Sequence, residues 1–168
     1  ENQILVARRF TTGYRDGVPM TPLDFTVPMI APAGSAFSTP SELVRWALSL
    51  QSDGDGVLSS ESKQLMQQRR VSLGYLPWMD YGYGVMVTDW RDAVDPDTRV
   101  VVYDHGGNIH GGSSQLYWVP ERGVVVSILA NTIRSLDNAA ACAVRALAGI
   151  EPIPADETKT QPEEWDAF

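Results

Sequence analysis

The chain has 168 residues, 43% of them hydrophobic, and a net charge of −8, which suits one domain or a substantial part of a larger one. Thirteen basic against 21 acidic residues argue against a phosphate backbone as partner, so no nucleic-acid binding is expected. The longest apolar run, near Val124 to Ala130, has a strand's length, so no membrane span is expected either.

The chain opens on ENQILVARRF, with neither a start methionine nor a charged-then-apolar leader. This reads as a processing boundary and leaves the compartment open between bacterial periplasmic or secreted and cytoplasmic. Residues 1–37 hold Pro19, Pro22, Pro28 and Pro32 with Gly13, Gly17 and Gly34, the pattern of irregular coil with brief strands. FSTPSELVRWALSLQ is sharper. Thr39 can cap, Pro40 fits the first helical position and Glu42 completes a capping box, while Leu43, Trp46, Ala47 and Leu50 share one face, so a helix is predicted over 40–51. SDGDG ends it, and LSSESKQLMQQRR begins a second helix with Ser59 or Ser60 as cap.

YGYGVMVTDW and TRVVVYDH read as two strands joined by the polar loop RDAVDPD. SSQLYWV and GVVVSILAN follow as a hairpin across PERG, whose proline and glycine suit a tight turn with a left-handed residue. SLDNAAACAVRALA, residues 135–148, predicts an alanine-rich helix ending at Gly149. The single Cys142 cannot close an internal disulfide and reads as a small packed helix residue, not a nucleophile. In the last stretch six acids (Glu151, Asp156, Glu157, Glu163, Glu164, Asp166) face one Lys159, so 151–168 is taken as an acidic tail or linker.

Two glycine pairs, each beside a histidine, make YDHGGNIHGGSS the most unusual stretch of the chain. His105, His110 and Asp104 nominally offer three metal ligands. A histidine pair five apart is off the four-residue helical spacing of zinc sites and the glycines between read as a loop, so no metal and no cofactor is expected. Neither phosphate-cradling glycine motif is present. Glycines after a strand histidine let another backbone approach, as when a substrate carbonyl lies along a strand edge, which points to acyl transfer. SESK at Ser60 to Lys63 matches the S-x-x-K of serine acyl enzymes. Its serine sits in a helix cap and its lysine reads as part of a solvated helix surface, where no desolvation lowers a pKa, so the cap reading is preferred.

From VARRFTTGY through PAGSAFSTPSELVRWALSL, GVLSSESKQLM and YGYGVMV to DHGGNIHGGSSQLYWVPERGVVVSILANT, the chain resembles the C-terminal half of a serine β-lactamase-like and penicillin-binding-protein-like hydrolase. That family takes in class C β-lactamases, DD-peptidases, D-aminopeptidases and related esterases. The resemblance implies an α+β fold, an antiparallel sheet flanked by helices, with residues 1–150 the C-terminal part of the hydrolase domain and incomplete alone. His105 to Gly107 resembles the third active-site motif, K-T-G in many members and H-x-G in others. It implies that His105 polarises the site, that Gly107 keeps the strand edge open, and that the Asn108 backbone amide is an oxyanion-hole donor. Gly106 replaces a hydroxyl residue often found second, and with His110 and Tyr83 it is assigned to substrate binding. Tyr81, Tyr117 and Trp118 are further aromatics for the pocket, although core packing is the commoner fate of strand aromatics.

The family's Y-x-N or S-x-N motif has no counterpart: Asn2, Asn108, Asn131 and Asn138 have neither Ser nor Tyr two positions before them. The expected partner is therefore a complementary N-terminal segment carrying S-x-x-K and Y-x-N, with a small molecule or peptide as substrate. The resemblance also places GVVVSILAN inside the completed sheet, as a strand buried on both faces. The alternatives are a non-catalytic binding or structural module on the same fold, and a small metal-binding domain.

Overall fold

A computed structural model describes residues 11–20, 31–34, 36–52, 57–74, 79–109 and 111–152. The acidic tail beyond 152 and His110 lie outside the described residues. Short polar turns and alternating apolar runs give a sheet of six strands in strict chain order, all antiparallel. A first hairpin, β1 (Gly13–Arg15) and β2 (Val18–Met20), forms a two-stranded sheet of its own. Its two-residue turn needs left-handed backbone at both Asp16 (φ 51) and Gly17 (φ 79), the D-G signature of a tight hairpin. One short helix, α1 (Ala31–Gly34), follows in the stretch read as coil.

Helix α2 (Pro40–Gln51) begins as the sequence dictates. The Thr39 side chain accepts from the Glu42 amide and the Glu42 carboxylate accepts from the Thr39 amide at 3.0 Å. That main-chain bond is the first cause of a Glu42 pKa below its ordinary value. Helix α3 (Ser60–Gln67) is capped by Ser59, whose oxygen accepts from the Ser62 amide at 3.2 Å. Ser60 is therefore the first helical residue and not the cap.

The large sheet comprises β3 (Val71–Ser72), β4 (Met79–Tyr81), β5 (Met86–Arg91), β6 (Arg99–Ile109), β7 (Gly112–Val119) and β8 (Val124–Ala130). YGYGVMVTDW is thus not one strand but the end of β4, a turn, and β5. Gly84 (φ 73) supplies the left-handed backbone of that turn, and a Cβ on Gly82 would stand 2.4 Å from the Met66 carbonyl. The β7–β8 connection is a single 3-10 turn, Pro120–Arg122, closed by left-handed Gly123. Beyond β8, α4 (Asp137–Ala148) ends at left-handed Gly149, as its sequence requires.

Each face of the sheet carries its own core. Val100, Val102, Tyr117 and Val119 pack under Ala140 and Val144 of α4. Val85, Val87, Leu116 and Trp118 pack under Ala47 and Leu50 of α2. Side chains alternate along a strand, so odd residues of β6 face α2 and even ones face α4. Among the described residues no helix is long and apolar enough to cross a membrane.

Two expectations are corrected here, on Cys142 and Lys63. Cys142 lies on α4 but is exposed, because Ala140, Ala141 and Val144 make the buried stripe. β8 ends the sheet among the described strands, and with helices on both faces its residues are half-buried, with Leu129 exposed. Lys63 is not solvated. It is 4% exposed, and its ammonium donates to the Ser52 carbonyl at 3.0 Å, tying α3 to the end of α2.

The two serines at the start of α3 should therefore differ. Ser59→Ala is expected to cost about 1 kcal/mol of stability through its lost cap, and Ser60→Ala less than about 0.5 kcal/mol. Urea melts of the two variants check this. Equal losses would move the cap back to Ser60.

Candidate active site

Strand β6 outruns one of its neighbours. β5 pairs with Arg99 to Asp104, whereas β7 pairs with Tyr103 to Ile109. The stretch 105–109 is consequently paired on the β7 side only among the described residues. The glycines do not form a loop, as the sequence suggested. β6 runs unbroken to Ile109 because pairing with β7 outweighs the poor strand propensity of Gly106 and Gly107.

The direction of the main chain at this open edge follows from alternation. The Asp92 amide donates to the Thr98 carbonyl at 3.2 Å, in line with the β5–β6 register. In an antiparallel pair successive residues turn their N–H and C=O groups to opposite sides. With no break in the register, the even residues of β6 turn theirs toward the β5 side. Gly106 and Asn108 therefore present main-chain groups along the open edge. A substrate backbone laid there would meet N–H donors as a further strand would.

His105 opens this edge. Its side chain is exposed and on the α2 face, and its Nε2 lies 3.0 Å from the Tyr81 hydroxyl, the rings 6.0 Å apart. Either the phenol donates to a neutral ring nitrogen or a protonated nitrogen donates to the phenol. In both forms the bond fixes the imidazole against β4. Tyr81 sits at the last position of β4 because the sharp turn at Gly82 to Gly84 follows directly. Tyr83, one turn further, is 62% exposed and lies under the Arg70 guanidinium, 5.2 Å from its ring centre. The structure thus joins Tyr81, not Tyr83, to His105. Tyr117 and Trp118 belong to the two cores, Trp118 donating to Gln67 Oε1 at 3.0 Å.

The far side of the same strand is dry. Asp104 points to the α4 face, 4% exposed, and accepts one bond from Gln115 Nε2 at 3.2 Å. Burial, then the nearby Asp137 carboxylate, push its pKa from 3.8 up to about 7, against a smaller lowering by Gln115. Burial and Asp104 likewise push the Tyr117 phenol up. Asp104 and His105 face opposite sides of the sheet, so the structure does not bring together the nominal three-ligand set. No metal-holding group of acids, histidines and cysteines occurs among the described residues.

Of the other candidates, Gly107 is exposed beside Ser114, whose hydroxyl donates to its carbonyl at 3.4 Å. Lys63 and Ser60 border a separate small cavity with Ser52, Gln64 and Gln67. None of His105, Gly107 or Asn108 lines that cavity. The sequence missed the Tyr81–His105 bond and the buried Asp104–Gln115 pair. The first was signalled only by an aromatic at a strand end, and the second not at all.

The six-stranded sheet with helices on both faces and one overrunning strand is the α+β fold of serine β-lactamase-like and penicillin-binding-protein-like proteins. The octameric penicillin-binding protein homologue from Pyrococcus abyssi superposes with a TM-score of 0.56 at 17% identity, over 67% of this chain and 24% of that one. A D-stereospecific amidohydrolase from Streptomyces sp. superposes with a TM-score of 0.50 at 21% identity, over 74% of this chain and 35% of that one. The chain thus spans between about a quarter and a third of the length of these solved structures. The Beta-lactamase family model matches residues 4–149, and the chain belongs to that family. No curated protein matches it.

The buried carboxyl makes a prediction about pH. Asp104 stays protonated in the fold up to about pH 7 but ionises near 3.8 when unfolded. The folded state therefore binds more protons between those values, and stability falls as pH rises through them. Asp104→Asn keeps an acceptor for Gln115 and removes the ionisation. It should be more stable than the parent above about pH 7, by on the order of 1–3 kcal/mol. Thermal melts from about pH 4 to 8 should show a flatter dependence, and an unchanged slope would contradict the assignment.

Proposed function

We propose that the chain is part of a serine hydrolase that acts through an acyl-enzyme on an amide or ester bond. The observation that carries this reading is the open edge of β6, which begins at His105 and presents the Asn108 N–H. In the proposed step a serine oxygen attacks the substrate carbonyl carbon, and its proton passes to a lysine base. The carbonyl oxygen takes the negative charge, which the Asn108 N–H stabilises, and the leaving group departs with a proton. Water then cleaves the acyl ester. An oxyanion donor of this kind contributes about 3 kcal/mol to the barrier. His105, held by Tyr81, places and polarises the acyl group at the start of the edge.

The serine and lysine are assigned to a complementary segment carrying S-x-x-K and Y-x-N. Two features support this. The second motif is missing from the sequence, and the one S-x-x-K present has its lysine bonded to the Ser52 carbonyl. The half-buried apolar β8, an edge strand here, offers that segment a strand to pair with. The substrate is a β-lactam, a D-amino-acid peptide or an ester. The histidine at 105 and the missing hydroxyl at 106 favour a peptidase or esterase. The missing motif also supports a second reading, a binding or structural module that reuses the fold without catalysis.

His105→Ala in the complete enzyme should lower turnover of an activated ester at least about 10-fold with unchanged folding. Unchanged turnover would leave His105 a structural residue. Labelling by a serine-reactive phosphonate should fall on the complementary segment and survive Ser60→Ala. Label lost with Ser60 would relocate the nucleophile to α3. Residues 1–168 expressed alone should bind hydrophobic dyes or precipitate and show no hydrolysis. A cooperatively unfolding, active monomer would remove the need for a second segment.

A further inference from the structure

Gln115 grips the active-site strand from behind. It is 3% exposed and is the cross-strand partner of Gly106. Since even residues of β6 turn their main-chain groups away from β7, this is a pair without mutual hydrogen bonds. In such pairs the Cα atoms approach to about 4.5 Å and the side chains crowd. The Gln115 carboxamide lies over Gly106, and a Cβ there would stand 1.9 Å from its Oε1. Its other end, Nε2, donates to Asp104 Oδ1 at 3.2 Å. One side chain thus spans residues 104 and 106, the two neighbours of His105, and fills the volume that any side chain at 106 would claim.

We propose that Gln115 is a positioning residue, which fixes β6 at Gly106 and thereby sets where the His105 ring and the Asn108 N–H stand. The inference rests on the reading of 105–109 as the acyl-binding edge. It gives the glycine at 106 a reason: with Gln115 across the sheet a larger residue would have to displace the carboxamide, and with a small residue at 115 it would not. Positions 106 and 115 therefore exchange volume, and the bond to Asp104 holds the carboxamide in place. Asp137 of α4 acts on Asp104, and both carboxyls, with Arg145 of α4, act on the Tyr117 phenol of β7. Ionisation of Asp104 changes the acceptor that Gln115 holds, so it should be felt at the edge.

The test follows the amide signals of Gly106, Gly107 and Asn108 by NMR, in the protein as isolated and labelled on this chain only. Gln115→Ala should shift all three signals and abolish their response to pH around Asp104 ionisation. Gly106→Ser should shift the signals of Gly107 and Asn108 too. The pair Gly106→Ser with Gln115→Ala should bring them back toward the parent, because serine takes the volume the carboxamide vacates. Gln115→Leu, which keeps volume without the bond, should preserve most of the positions and lose the pH response. Should Gly106→Ser fail to fold, the two Gln115 variants decide alone. Amides of 107 and 108 that stay put in Gln115→Ala, or effects that simply add in the pair, would overturn the positioning role. These signals need no turnover, so a failed hydrolase assay counts against the proposed function and leaves this result standing.

Discussion

The offset between β5 and β7 along β6 is the constraint on which the site depends. An eleven-residue strand flanked by one of six and one of eight cannot be paired on both sides throughout. The register leaves the overhang at 105–109, directly after the last apolar residues that the two cores need. Stability and access are thereby separated along one strand. Val100 and Val102 are sealed between neighbours, and the same backbone a few residues on is open.

The two faces of that overhang serve different ends. On the α2 side His105 meets a phenol at the rim, in reach of solvent. On the α4 side Asp104 and Gln115 satisfy each other in a dry space. A buried carboxyl with one neutral partner is costly to ionise, so the pair is held as a neutral, short-range contact and not as an ion pair. The charged anchors of the fold lie elsewhere, at Arg69 with Asp80 and Asp89 and at Arg122 with Asp92.

Local chemistry was legible in the sequence. The Thr39–Glu42 capping box, the left-handed Gly123 and the stop at Gly149 depend on residues within a few positions of each other. What depends on a distant strand was not. Gly106 read as a loop breaker because its cause, Gln115, stands across the sheet. Lys63 read as solvated because its helix face is polar, and only the carbonyl at the end of α2 shows why it is buried. Two glycines in YGYG signalled a break, but alternation on either side resembled a continuous strand. The motif at His105 was found by resemblance. The resemblance also implied an edge, but which residues it spans required the register of two neighbours.

The order of the strands bears on how the chain assembles. The large sheet is laid down in sequence order, so each strand closes against the one just before it, with little loop entropy to overcome. The first hairpin is the exception. Its Tyr14 amide reaches the Asn131 carbonyl, and the Asn131 side chain returns to the Thr12 carbonyl across 119 residues. A Cβ on Gly13 would meet the Gly111 carbonyl at 2.5 Å, so that contact also presses on the turn between β6 and β7. The hairpin is thus held by contacts far away in sequence, and it fastens against the tip of the strand that carries His105.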